Sequence, residues 1–148
     1  MTLADEAATQ AFGTALAAAL RPGDVVTLSG PLGAGKTTLA RALLHALGEE
    51  GEVPSPSFAL VQPYDDLRLP VWHADLYRIN DPSELAELGL DEIRSDGVLI
   101  VEWPERASGA WPNALALSLE PLDSADLRLT AKVPPSWEER WPLPHFPR

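Results

Sequence analysis

Residues 30–37 read Gly-Pro-Leu-Gly-Ala-Gly-Lys-Thr, which fits the pattern G-x-x-x-x-G-K-[ST], and their flanks restrict what can be built around them. Before them, Asp24-Val25-Val26-Thr27-Leu28-Ser29 is a short β-branched run after the turn signal Pro22-Gly23. After them, Leu39, Leu43, Leu44 and Leu47 recur at helical spacing until Gly48 stops the helix. The order strand, glycine-rich loop, helix is the setting in which this pattern forms a phosphate nest. Glycines let successive N–H groups turn inward, and the positive end of the helix adds its partial charge. In such a nest Lys36 is expected to reach the β- and γ-phosphates and the Thr37 hydroxyl to hold Mg²⁺.

A chain of 148 residues is expected to form one domain that buries about two-thirds of its unfolded surface without staples. With no Cys, disulfides and thiolate metal sites are excluded, which suits a reducing cytoplasm. Met1 to Glu6 lack the basic start and apolar block of a signal peptide, and no apolar run approaches the roughly 20 residues that cross a bilayer. A cytoplasmic protein with no membrane partner is therefore expected. The net charge of −11, from 22 acidic against 11 basic residues, disfavours a polyanion as partner, so direct base-specific nucleic-acid binding is not expected. It does not forbid ATP, because a nest and bound Mg²⁺ can invert the potential locally, and it favours a partner with a basic docking surface.

Taken in order, residues 4–20 read as a helix with Ala7, Ala11, Ala15 and Ala18 beside Leu16 and Leu20 on a small-residue face. Beyond the loop helix, Val53-Pro54-Ser55-Pro56-Ser57-Phe58 is held extended by its prolines and is either a nucleotide-sensing switch or an ordinary connector. Residues 59–64 and 69–75 read as two strands turning at Asp65-Asp66, with Pro63 and Pro70 confining them to edges or strand ends. Asp75 closes the second strand, where ligand chemistry tends to lie in an open α/β sheet, and His73 on the same strand face reads as a packing residue. Asp81-Pro82-Ser83-Glu84 starts a helix that runs to Leu88 and stops at Gly89.

The continuous apolar run over Gly97–Pro104 reads as a strand buried on both faces, and Glu102 is its last polar residue. An acid in that position usually holds Mg²⁺ or its water in phosphate-loop proteins, while Trp103 could stack on a base or cap the core. Residues 113–119 and 125–132 alternate as a terminal hairpin or edge strands, and 133–148 is a Pro-rich tail that either straps the body or moves freely.

Several of these segments together are more specific than a phosphate loop. Residues 32–38 (Leu-Gly-Ala-Gly-Lys-Thr-Thr), Ser55-Pro56-Ser57-Phe58, His73-Ala74-Asp75-Leu76-Tyr77-Arg78, Glu87-Leu88-Gly89-Leu90 and Val101-Glu102-Trp103-Pro104 resemble, in order and spacing, the bacterial TsaE family. The likeness runs from about Thr9 to Lys132. That family supplies the small ATPase of the system that installs threonylcarbamoyladenosine on transfer RNA. The resemblance implies an ATP/ADP- and Mg²⁺-binding protein that associates with the TsaB–TsaD pair and hydrolyses ATP slowly. It implies that Gly33, Ala34, Gly35, Lys36, Thr37 and Thr38 bind phosphates and that Thr37 and Glu102 hold Mg²⁺. It further puts Thr9 near the adenine, Trp103 near the nucleotide pocket, and Ser57 and Asp75 with Lys36 in the hydrolytic machinery. Ser57 stands where the family usually has Thr, and Ser124-Ala125 where it often has Gly-Arg.

The expectation is a three-layer α/β, phosphate-loop NTPase-like fold with a mixed, mainly parallel sheet and an inserted antiparallel hairpin. Residues 1–132 would form the nucleotide-binding domain and 133–148 the tail. A small-molecule kinase shares the loop and sheet, but its Arg-rich lid has no counterpart among nine scattered arginines. A nucleotide-gated adaptor that binds ATP without useful turnover stays open, because Asp75 and Glu102 would serve binding as well as catalysis.

Overall fold

The apolar runs on either side of the glycine-rich loop meet at the centre of one sheet. In this computed structural model the described residues are 1–31, 35–53, 61–79, 96–107, 109–122, 126–144 and 146. In chain order the elements are β1 (Thr2–Leu3), α1 (Glu6–Ala19), β2 (Val25–Ser29), α2 (Lys36–Ala46), β3 (Val61–Tyr64), β4 (Val71–Asp75), β5 (Val98–Glu102), β6 (Leu115–Pro121) and β7 (Leu127–Lys132). The sheet order is β1-β7-β6-β2-β5-β4-β3. The four strands β6, β2, β5 and β4 run parallel, β3 and β7 flank them antiparallel, and β1 pairs antiparallel with β7. All five residues of β5 are buried, as a strand covered on both faces requires. Pro63, with no N–H to donate, sits on β3 at the sheet's end.

Both helices pack on the same face. Phe12, Leu16 and Leu20 join Leu39, Leu43 and Leu44 over Val26, Leu28, Ile100 and Leu117, each large side chain contributing about 1.5–3 kcal/mol by leaving water. The expected small-residue face of α1 is corrected: Ala7, Ala11 and Ala18 are exposed, and the buried residues are Thr9, Phe12, Gly13, Leu16 and Ala17. The larger apolar surface of Phe12 and Leu16 decides the helix's rotation. Gly13 permits the close crossing, since a Cβ there would lie 2.6 Å from that of Ala42. The side chain of Asp5 caps α1 by accepting from the Ala8 N–H at 2.8 Å. On the sheet's other face Leu76, Ile79, Ala107 and Ala114 cover Ala74, Leu99 and Val101.

The tail is a strap. After a 3-10 turn at Pro135–Trp137, Trp137, Trp141 and Leu143 enter the core below α1, and Phe146 meets Phe12 edge-on. Arg140 fixes it, with two hydrogen bonds to the Asp24 carboxylate, one to the Ala19 carbonyl, and its guanidinium over the Trp137 ring. The expected helix at 81–88 and the segment 54–60, with its candidate Ser57, lie outside the described residues, as do Gly33, Ala34 and Ser124-Ala125.

Candidate nucleotide-binding site

Three elements converge at the carboxyl end of the parallel strands. Gly35 takes a left-handed conformation (φ 94°) that a side chain would strain, and α2 begins one residue later. Lys36 is thus on the first helical turn, 5% exposed, with its Nζ donating to the carbonyls of Gly30 and, at 2.9 Å, Pro31. Its ammonium also lies 4.0 Å from the centre of the Trp103 ring. Thr37 follows, and its Oγ1 donates to Glu102 Oε1 at 3.2 Å. Thr38 lines a cleft of about 540 Å³ between α1 and α2, together with Glu6, Gln10, Thr14, Arg41 and His45. Thr9 is buried on α1, its hydroxyl donating to the Asp5 carbonyl at 3.3 Å.

The register explains why the acids meet. Parallel pairing sets Asp75 opposite Glu102 and Leu28 opposite Glu102, so the last residues of β4 and β5 share the α2 side of the sheet. Asp75 is 7% exposed and Glu102 2%. Burial pushes the Asp75 carboxyl above its ordinary value; the Tyr77 N–H that it accepts at 2.9 Å opposes this, the Glu102 charge adds to it, and His73 and Lys36 oppose it. Burial likewise lowers the Lys36 ammonium, against the pull of Glu102, Glu105 and Asp75.

The donors fit Mg²⁺ and fit it in a particular way. A hydroxyl and a carboxylate oxygen, 3.2 Å apart, are hard oxygen ligands. Among the described residues no group of three or more His, Cys, Asp or Glu could hold a metal by itself. A cation here would complete its shell with phosphate oxygens and water, as Mg²⁺ commonly does.

The structure brings Lys36, Thr37, Asp75, Glu102 and Trp103 together; it sets Thr9 and Thr38 on the helix pair beside them. Two features were not anticipated from sequence. His73, read as a packing residue, places its Nε2 2.6 Å from Glu102 Oε2. Tyr77, 41% exposed, packs against Trp103 with ring centres 4.8 Å apart and planes tilted by 48°, and carries the Arg106 guanidinium 5.5 Å from its own centre. The alternate spacing of His73 and Asp75 was the available signal for the first, but only the β4–β5 register shows which acid His73 meets. Among the described residues no helix is long and apolar enough to cross a membrane.

The family model described as "Threonylcarbamoyl adenosine biosynthesis protein TsaE" matches residues 3–130. A tRNA threonylcarbamoyladenosine biosynthesis protein TsaE from Rickettsia bellii is 39% identical over 129 residues, 86% of this chain and 89% of that protein. The protein of that name from Haemophilus influenzae is 43% identical over 91 residues, 61% of this chain and 58% of its own length, so the match spans less than two-thirds of that relative. The crystal structure of Bacillus subtilis YdiB superposes with a TM-score of 0.80 at 31% identity, covering 94% of this chain and 87% of that one.

Proposed function

This chain belongs to the TsaE family, and on that footing we propose that it is a Mg²⁺-dependent ATP-binding protein and slow ATPase of the cytoplasm. In this reading it serves threonylcarbamoyladenosine formation at position 37 of tRNA together with TsaB and TsaD. The observation that supports it best is the meeting of Lys36, Thr37, Asp75 and Glu102 at one end of the parallel strands. Phosphate-loop hydrolysis asks little covalent chemistry of the protein and much positioning and charge compensation.

Lys36 leaves the carbonyls of Gly30 and Pro31 for the β- and γ-phosphates, and Gly33 to Thr38 would bind those phosphates. Thr37 and Glu102 hold Mg²⁺, which when bound neutralises phosphate charge and polarises the γ-phosphoryl group. Asp75, beside Glu102, orients the attacking water, and Ser57 acts from the switch-like segment. Trp103 and Thr38 flank the nucleotide, and Thr9 belongs to the helix that walls the cleft on the adenine side. The arginines at 41, 68 and 140 spend hydrogen bonds on the carbonyls of Val53, Ala17 and Ala19, an arrangement unlike a kinase's phosphoryl-clamping lid.

The test is ATP hydrolysis by the chain alone and with purified TsaB and TsaD, with Lys36→Ala and Asp75→Ala as variants. Turnover that is feeble alone and rises with the pair, is lost in Lys36→Ala, and is lost in Asp75→Ala while ATP binding persists would bear the reading out. Brisk turnover that ignores the pair would make this an independent ATPase; binding without turnover in either mixture would make it a nucleotide-gated adaptor.

A further inference from the structure

A carboxylate can hold a cation in a defined place only if its own rotation is stopped, and in this chain both oxygens of Glu102 are engaged. Oε1 accepts from Thr37 and Oε2 from the ring of His73, at 3.2 and 2.6 Å. We propose that His73 is the positioning residue of this site: it holds Glu102 from inside the sheet so that the other carboxylate oxygen faces Thr37. The inference rests on the reading of Thr37 and Glu102 as Mg²⁺ ligands.

Three observations carry it. The register places His73 opposite Ile100, one step deeper along the sheet than the Asp75–Glu102 pair and on the same face, so it reaches Glu102 from the side away from solvent. His73 is fully buried and Glu102 is 2% exposed, so the ring supplies a donor to a carboxylate that would otherwise lack solvent on that side. The other ring nitrogen, Nδ1, has no hydrogen-bond partner among the described residues, so among them the ring's polar bond is the one to Glu102. A histidine kept only to fill the core would show no such preference.

The arrangement has two consequences. Thr37 gives its proton to Glu102 Oε1, which turns the hydroxyl's lone pairs outward to a cation. Glu102 is also restrained from swinging onto the Lys36 ammonium, whose charge it already feels, so the lysine stays available to phosphate. Partners that orient a metal's ligands in this way commonly change metal affinity by about 10- to 100-fold when removed.

The experiment measures Mn²⁺ binding to the ADP complex by electron paramagnetic resonance and ADP affinity in EDTA by calorimetry. It compares the wild type with His73→Phe, His73→Asn, His73→Gln and Glu102→Ala, each checked for folding by circular dichroism. His73→Phe is expected to weaken Mn²⁺ about ten-fold or more while leaving metal-free ADP affinity unchanged. His73→Gln, which keeps an N–H donor of similar reach, should recover part of the loss, and in the Glu102→Ala background His73→Phe should add nothing. His73→Asn, shorter and still polar, makes the same comparison should His73→Phe not fold. Unchanged Mn²⁺ affinity, equal weakening of metal-free ADP, or a loss that adds to that of Glu102→Ala would overturn the proposal while sparing the metal reading. A wild-type ADP complex that binds no Mn²⁺ would sink the metal reading and the proposal with it.

Discussion

Two carboxylates, Asp24 half-buried and Glu102 buried, sit at opposite ends of the parallel strands and are treated in opposite ways. Asp24, just before β2, receives two N–H groups of Arg140 at 2.6 and 3.1 Å; the same guanidinium binds the Ala19 and Ser136 carbonyls and covers Trp137, and its Nε has no hydrogen-bond partner among the described residues. Glu102, at the end of β5, shares its surroundings with an ammonium that burial lowers and a carboxyl that burial raises. There Trp103 holds a left-handed backbone (φ 61°), rare for a bulky residue, and His73 keeps a nitrogen that has no hydrogen-bond partner among the described residues. One end is complementary within the chain; the other is left in conflict that a polyphosphate with its cation would resolve. Such a contrast separates the part of a molecule that stabilises it from the part that acts.

The contrast can be broken most forcefully at the clasp. Arg140→Ala leaves Asp24 without its ion-pair partner, although the Arg21 N–H still donates to it at 2.7 Å, and Trp137 without its cover, and is expected to destabilise the fold by about 3 kcal/mol in chemical denaturation. ATP turnover per folded molecule should stay at the wild-type level; a parallel loss of turnover would join the two ends. Lys36→Ala should do the reverse, lowering turnover by about 100-fold or more in a steady-state assay while the chain still folds.

Gly13→Ala sharpens the comparison because it lies between the ends, on the helix that Arg140 holds at Ala19 and against the helix that carries Lys36. Overpacking at the 2.6 Å approach should cost about 1–3 kcal/mol by denaturation and also shift ADP affinity, as no purely clasp-end change would. The smallest effect is expected from Asp75→Asn. Burial raises this carboxyl, so the folded state resists its ionisation: that penalty is absent in acid and sets in as pH rises through the raised value. The variant should therefore melt above the wild type at pH 7, with the gain shrinking as pH falls, in thermal melts across that range.

Local patterns exposed much of this in the sequence. The phosphate loop, its strand and its helix are contiguous, and their residue types are dictated by backbone geometry, so Lys36 and Thr37 stood out at once. Glu102 was legible because five consecutive buried residues end on it. The His73–Glu102 bond was not, since it depends on pairing two strands separated by a long stretch of chain. The clasp was hidden for the same reason: 116 residues separate Arg140 from Asp24, and five prolines in 133–148 spoke only of an extended path. The buried face of α1 follows the area of Phe12 and Leu16, which alanine spacing does not reveal, and β1, at two residues, is too short to leave a period.

The most direct test is the change in melting temperature that Mg²⁺ and ADP together produce in the wild type, in Lys36→Ala and in Arg140→Ala. At ligand near 100 times its Kd, binding adds about 2.7 kcal/mol to stability. The account predicts a clear upward shift in the wild type, a shift of the same size on a lower baseline in Arg140→Ala, and none in Lys36→Ala. A shift that survives loss of Lys36, or vanishes with loss of Arg140, would contradict the division of the molecule into an end that holds and an end that binds.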